Sequence, residues 1–183
     1  MITLVLILMR WTNEHLSELV FSSETGRWRQ ILIGIILGSI LFLTALFLFQ
    51  PLSESIIGSE VADKSNLGEY FSGYKYLPFW IFLCVFKGGL SEELWRTYAL
   101  QTFEDRYGIG GVLIALLLSS AVFGFGHYYQ GTAAVLSTAM EGCVYAIIFF
   151  WRRSALEVII AHATRDLITV GMSYSVFLGH STH

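Results

Sequence analysis

Charge is scarce in this chain. Asp, Glu, Lys and Arg make up 14% of its 183 residues while 55% are hydrophobic, where a soluble domain carries roughly a quarter charged residues. The mean hydropathy of +0.62 agrees, so an ordinary water-soluble domain is excluded and a polytopic membrane protein is the class that remains. Proline is almost missing, with two residues against 17 glycines, which lets long helices run on and pack closely. Two cysteines are present, Cys84 and Cys143; both sit in apolar runs and neither forms a CxxC, so they read as small buried hydrophobes. No H-E-x-x-H occurs, which excludes the common zinc-protease helix. The net charge of −3 gives no reason to expect nucleic acid. No internal repeat stands out. The opening MITLVLILMR is too short to span and no A-x-A-like site follows it, so it reads as a membrane-surface segment or the remnant of a span, not a signal peptide.

What is present is a series of apolar runs near the roughly 20 residues a bilayer demands: Ile31–Phe49, Pro78–Leu100, Gly108–Gly126, Thr132–Trp151 and Ala155–Leu178. Helix is the state that satisfies the backbone in lipid without an open sheet edge. The fold expected is all-α, a polytopic helical bundle with about five spanning helices, in which residues 1–29 form an N-terminal interfacial segment and 30–183 the membrane-embedded domain. The stretch Trp11–Arg29 mixes apolar and charged residues as an amphipathic surface helix does. Arg10, Arg27, Arg29, Arg106, Arg152 and Arg153 all fall on one side of such a bundle, which by the positive-inside rule puts the N-terminus in the cytoplasm. The Gly34-x-x-x-Gly38 pair lets the first helix pack closely on another and is weak evidence for a dimer.

Ionisable residues inside spans cost roughly 2.5–3.5 kcal/mol each on insertion scales and are functional candidates. Three groups stand out. In SEELWRTYAL, Glu92 and Glu93 lie four and three residues before Arg96, so one cation reaches either carboxylate on a helix; a structural ion pair is the bland alternative. In AVFGFGHYYQG, His127 follows Phe123 by four. In IIAHATRDL, His162 and Asp166 are one turn apart, which lets a carboxylate orient an imidazole or both project into one cavity. Together they supply carboxylates and imidazoles on three helices, enough to activate a water and stabilise an oxyanion, and equally competent to ligate a metal. Glu141 and Arg165 read as a buried pair, and Lys87 as a partner for a carboxylate or a snorkelling side chain.

In that order the three stretches resemble the motifs of the CPBP family, the CAAX proteases and bacteriocin-processing enzymes also called Abi or type II CAAX prenyl endopeptidases, which carry EExxxR, FxxxH and HxxxN or HxxxD on successive membrane helices. The resemblance covers 77–179. It implies an intramembrane endopeptidase of the glutamate type, with Glu92 or Glu93 and His127 activating a water, Arg96 holding the carboxylates, and His162 with Asp166 forming the oxyanion site. EELWR has one residue fewer than the family spacing; Glu92 is favoured as the base, with Glu93 in support. Bringing His127 level with Glu92 and His162 requires the third helix to start deeper, or the segment Arg96–Tyr107 to dip into the membrane.

The resemblance further implies no cofactor, with zinc as the named alternative. The implied partners are the lipid bilayer and a membrane peptide or protein substrate, prenylated or not, in a bacterial cell membrane. The rival readings are a non-catalytic immunity or scaffold protein of the same fold, and a small proton-relay transporter, for which the expected inverted repeat is not seen.

Overall fold

The structure is a computed structural model that describes Ile7, residues 26–58 and residues 74–180, with side chains as far as residue 176 at the C-terminal end. Most of the segment 1–29 thus lies outside the described residues. Every regular element among the described residues is helical. Helix α1 is Arg27–Ile57. It widens into a π-helical turn at Ala45–Phe49, immediately before Pro51, whose ring would strike the carbonyl four residues back in a regular α-helix.

The stretch Tyr74–Gly126 is helical throughout except at Gly108, where φ 62° and ψ −150° break it into two limbs. We name these α2 (74–107) and α3 (109–126). A Cβ on Gly111 would collide with the carbonyl of Phe103; residues 103 and 111 would stand about 12 Å apart along a straight helix, so the chain folds back on itself here. Only glycine takes up that backbone conformation readily. A short turn follows, and then α4 (Thr132–Arg152) and α5 (Ala155–His180). By length and composition, Arg27–Ile57, Tyr74–Gly126 and Thr132–Arg152 are long and apolar enough to cross a membrane. The run of α5 is interrupted by Glu157, Arg165 and Asp166.

The limbs alternate in direction, and their ends are tied in two groups. At one end Ser154 donates to Gln30 Oε1 at 2.9 Å, Arg152 Nε reaches Glu157 Oε2 at 2.7 Å, and Arg153 pairs with Glu104. At the other end the rings of Tyr74 and Tyr174 stack 6.0 Å apart. Exposed aromatics collect at both levels, Trp28, Tyr107 and Trp151 at the first and Tyr74, Tyr128 and Tyr129 at the second, as in the two interfacial belts of a membrane protein. Between them α1 and α3 turn Ile36, Ile40, Phe47, Leu113 and Leu117 outward, a surface that suits lipid.

The core is packed around Leu94, Leu100, Phe123, Tyr145, Phe149, Val158 and Ile159. The Gly34-x-x-x-Gly38 stripe is spent inside the chain: a Cβ on Gly34 would lie 2.7 Å from Ile160 Cβ, and one on Gly38 would meet the Ala161 carbonyl. The dimer reading of that stripe is therefore corrected; it seats α1 against α5. The second run also extends beyond the expected Leu100, to 107.

Candidate active site

The site begins with an irregular piece of helix. Leu83–Glu92 is π-helical, so the backbone bonds join residues five apart and stack i over i+5. In an α-helix those positions point about 140° apart. Here Lys87 Nζ sits 2.7 Å from Glu92 Oε1, and the Lys87 side chain is the cation the cavity-facing carboxylate receives. Gly88 and Gly89 in the same turn admit α5: a Cβ on Gly88 would stand 2.6 Å from Asp166 Oδ2 and 3.4 Å from His162 Nε2, and one on Gly89 2.8 Å from the Ile159 carbonyl. Extended π-helical turns are rare and gather at functional sites.

The two adjacent glutamates then part company. Glu93 is fully buried and points into the bundle, where its Oε1 accepts from His162 Nδ1 at 2.6 Å and from Arg96 Nη1. The Arg96 guanidinium is itself 1% exposed and lies over the rings of Phe123 (4.6 Å) and Tyr145 (5.6 Å), a cation–π setting. Glu92 faces a cavity of ≈ 410 Å³, within the roughly 300–1,000 Å³ typical of ligand sites. Its Oε2 accepts no hydrogen bond from the protein and stands 3.9 Å from His162 Nε2.

His162 is the hub. Beyond Glu93 at Nδ1, its Nε2 is 3.4 Å from Asp166 Oδ2, and the Tyr145 ring stacks on its imidazole at 4.7 Å. Asp166 is held in turn by Arg165 at 3.2 Å, and Arg165 by Glu141 at 2.7 Å. The result is a chain of alternating sign running Arg96, Glu93, His162, Asp166, Arg165, Glu141. The expected Glu141–Arg165 pair is thus present, and it also braces the last motif.

His127 ends α3 and lines the same cavity as Glu92, His162 and Asp166. Its Nδ1 is 2.9 Å from the Phe123 carbonyl; a carbonyl only accepts, so Nδ1 carries the hydrogen and Nε2 of the neutral ring is left as an acceptor. Burial holds the His127 imidazole below its ordinary value of 6.5, which keeps that acceptor available at neutral pH. Phe123 stands between the two histidines, edge-on to His127 at 4.9 Å and to His162 at 5.4 Å. The F-x-x-x-H spacing thus places a wall between two imidazoles on one face. The level of His127 follows from the reversal at Gly108: Glu92 is 16 residues before it and His127 is 19 after it, about 24 and 28 Å along the helices. The longer α2 and its hairpin with α3, rather than a dipping loop, bring the two together.

All six expected site residues, Glu92, Glu93, Arg96, His127, His162 and Asp166, therefore lie in this one cluster. Glu92, His127, His162 and Asp166 line the cavity, while Glu93 and Arg96 sit behind it. Tyr145 escaped sequence reasoning; its only signal is a place four residues after Glu141, on the same helical face. Among the described residues no three His, Cys, Asp or Glu side chains are grouped as a metal site requires. His162 has a carboxylate at each ring nitrogen, whereas His127 bonds the Phe123 carbonyl through Nδ1 and keeps Nε2 open, an arrangement that a metal-ligating histidine also shows.

The family model described as type II CAAX prenyl endopeptidase, Rce1-like, matches residues 73–168, just over half of the 183 residues. The chain belongs to the Rce1-like family. The match takes in all three motifs and every residue of the cluster. No curated protein and no solved structure matches the chain. An Rce1-like member with three apolar, membrane-length helices is an integral membrane protein of a protease family.

Proposed function

We propose that this Rce1-like protein is an intramembrane endopeptidase that hydrolyses a peptide bond with a water activated by Glu92 and His127, without a metal. Five membrane passes and a cytoplasmic N-terminus belong to the same proposal. The observation that carries it is the divergence of the two glutamates: Glu93 turns into the core, where Arg96 and His162 both hold its Oε1, while Glu92 lines the cavity; Oε2 of each accepts from no protein group.

A water between Glu92 Oε2 and His127 Nε2 gives up a proton to the carboxylate as its oxygen attacks the scissile carbonyl carbon. The carbonyl π electrons move onto oxygen, and the His162 Nε2–H, oriented by Glu93 and Asp166, donates to that oxyanion. When the C–N bond breaks, the nitrogen takes the proton from Glu92, releasing an amine and a carboxylic acid and restoring the carboxylate. Lys87 fixes the other Glu92 oxygen and so directs Oε2 at the water. The substrate is a peptide or protein segment at the membrane, and nothing in the chemistry requires a prenyl group.

Purified protein incubated with a peptide library in detergent tests this. Wild-type protein is expected to generate new N-termini and the Glu92→Gln, Glu93→Gln double variant none. Absence of cutting by wild type, or equal cutting by both, would remove the peptidase reading.

A further inference from the structure

We infer that Tyr145 is a positioning residue for the hydrolysis: the face of its ring, not its hydroxyl, holds the His162 imidazole with Nε2 turned to the cavity. Its effect on rate rests on the peptidase reading; the placement of the ring does not.

The three motifs supply α2, α3 and α5, and none of them draws on α4. That helix nonetheless reaches the centre of the site. Gly142 lets it close on α3, since a Cβ there would stand 3.1 Å from Ser120 Cα and from Phe123 Cδ1. Tyr145, three residues on and so on the same side of the helix, is fully buried. Its ring lies almost flat on the His162 imidazole, with centroids 4.7 Å and planes 14° apart. His162 lines the cavity and Tyr145 does not, so the tyrosine stands behind the imidazole and acts on the substrate only through it.

A histidine ring turns about a broad torsion at χ2, so its plane is set by neighbours. The bond from Nδ1 to Glu93 Oε1 at 2.6 Å anchors one corner and leaves the ring free to swing about it. Asp166 guides the opposite corner loosely: its Oδ2 is 3.4 Å from Nε2, beyond the roughly 2.7–3.2 Å of a well-formed N–H···O bond. Tyr145 supplies a flat surface against one face, and the edge-on Phe123 ring at 5.4 Å limits the tilt. The tyrosine is itself held, with Phe123 edge-on at 6.4 Å and Arg96 over its ring at 5.6 Å. Its hydroxyl has no hydrogen-bond partner among the described residues, and burying such a group is a cost; the ring is the useful part. An oxyanion donor works by being aimed in advance at the place where charge develops, so a ring that swings loses rate without loss of substrate binding.

The experiment uses the full chain in detergent, with Tyr145→Leu, Tyr145→Phe and, as a control, Phe149→Leu, a buried position one turn along the same helix. Tyr145→Leu should lose about 10²-fold in kcat, the scale of a misplacement near 1 Å, with KM little changed. Tyr145→Phe, which puts the flat face back without the hydroxyl, should recover that loss. Phe149→Leu should lower the melting temperature and leave kcat alone. If Tyr145→Leu does not fold, Tyr145→Met, nearer in volume and equally without a flat face, takes its place. The stack itself is read by NMR of isotope-labelled histidine, assigned with His162→Gln. Protons over an aromatic face are shielded, so the His162 ring protons should move downfield in Tyr145→Leu and hold in Tyr145→Phe. Wild-type kcat in Tyr145→Leu, or an equal loss in Phe149→Leu, overturns the positioning role. A Tyr145→Phe enzyme as slow as Tyr145→Leu also overturns it, by giving the role to the hydroxyl. If wild type cuts no peptide, the peptidase reading fails separately; the His162 protons then still decide, since an unmoved signal in Tyr145→Leu overturns the placement and a moved one upholds it.

Discussion

The two ends of the bundle both hold charged side chains at membrane depth or near it, and they use them in opposite ways. At the end tied by Ser154 and Gln30, the closed end, two arginines each have a single, complementary answer: Arg152 gives two hydrogen bonds to the buried Glu157, at 2.7 and 3.0 Å, and Arg153 closes on Glu104. Nothing there points into a cavity. Around His162, one imidazole has Glu93, Asp166 and Glu92 within 3.9 Å, and Glu92 keeps an oxygen without a protein donor. An ionisable residue in an apolar helix is therefore a poor marker of function by itself. Valence left over at a cavity wall is the better one.

Glu93→Gln should show the contrast at its largest. It removes the partner of a guanidinium that is almost wholly buried, which costs about 3–5 kcal/mol in such pairs, and it frees the His162 ring. Both melting temperature and cleavage rate should drop sharply; a variant as stable and as active as wild type would mean the buried pair is ornamental. His127→Gln comes next, with a rate lower by about 10²–10⁴, the usual contribution of a positioned acid or base, and little change in melting, because the side chain packs at a helix end. Since burial lowers the His127 imidazole, its neutral form persists as pH falls past 6.5; the acid limb of kcat/KM should lie below that pH, and a limb above it would contradict the assigned role.

At the closed end Glu157→Gln should lower stability by about 1–3 kcal/mol, the cost of weakening a buried charge-assisted bond, with kcat unchanged. The effect on rate should vanish altogether for strong chelators: cleavage should survive them, with no zinc found by elemental analysis. Activity lost to a chelator and restored by zinc would bring back the metal reading.

Much of this was legible in the residues. The three motifs, their order and their apolar flanks predicted that Glu92, Glu93, Arg96, His127, His162 and Asp166 would meet, and the arginine-rich loops predicted alternating helices. What stayed hidden was local geometry. A π-helix has no hydrophobic period of its own in ten residues, so the stacking of Lys87 over Glu92 could not be read from KGGLSEE. EELWR is one residue short of the family spacing; in the fold Arg96 reaches back three residues to Glu93 and leaves Glu92 to the cavity. Gly34-x-x-x-Gly38 says only that some helix approaches closely, and cannot say that α5 rather than a second copy does.

The most direct measurement sets one glutamate from each end side by side. Purified Glu92→Gln and Glu104→Gln variants are compared with wild type for turnover of one cleaved peptide and for melting temperature. Glu104 lies in an exposed pair worth about 1 kcal/mol or less, so its variant should cut at the wild-type rate. Glu92→Gln should melt within a few degrees of wild type and lose about 10³-fold in kcat, close to 4 kcal/mol of barrier. Wild-type turnover by a well-folded Glu92→Gln would contradict the claim that this carboxylate activates the water.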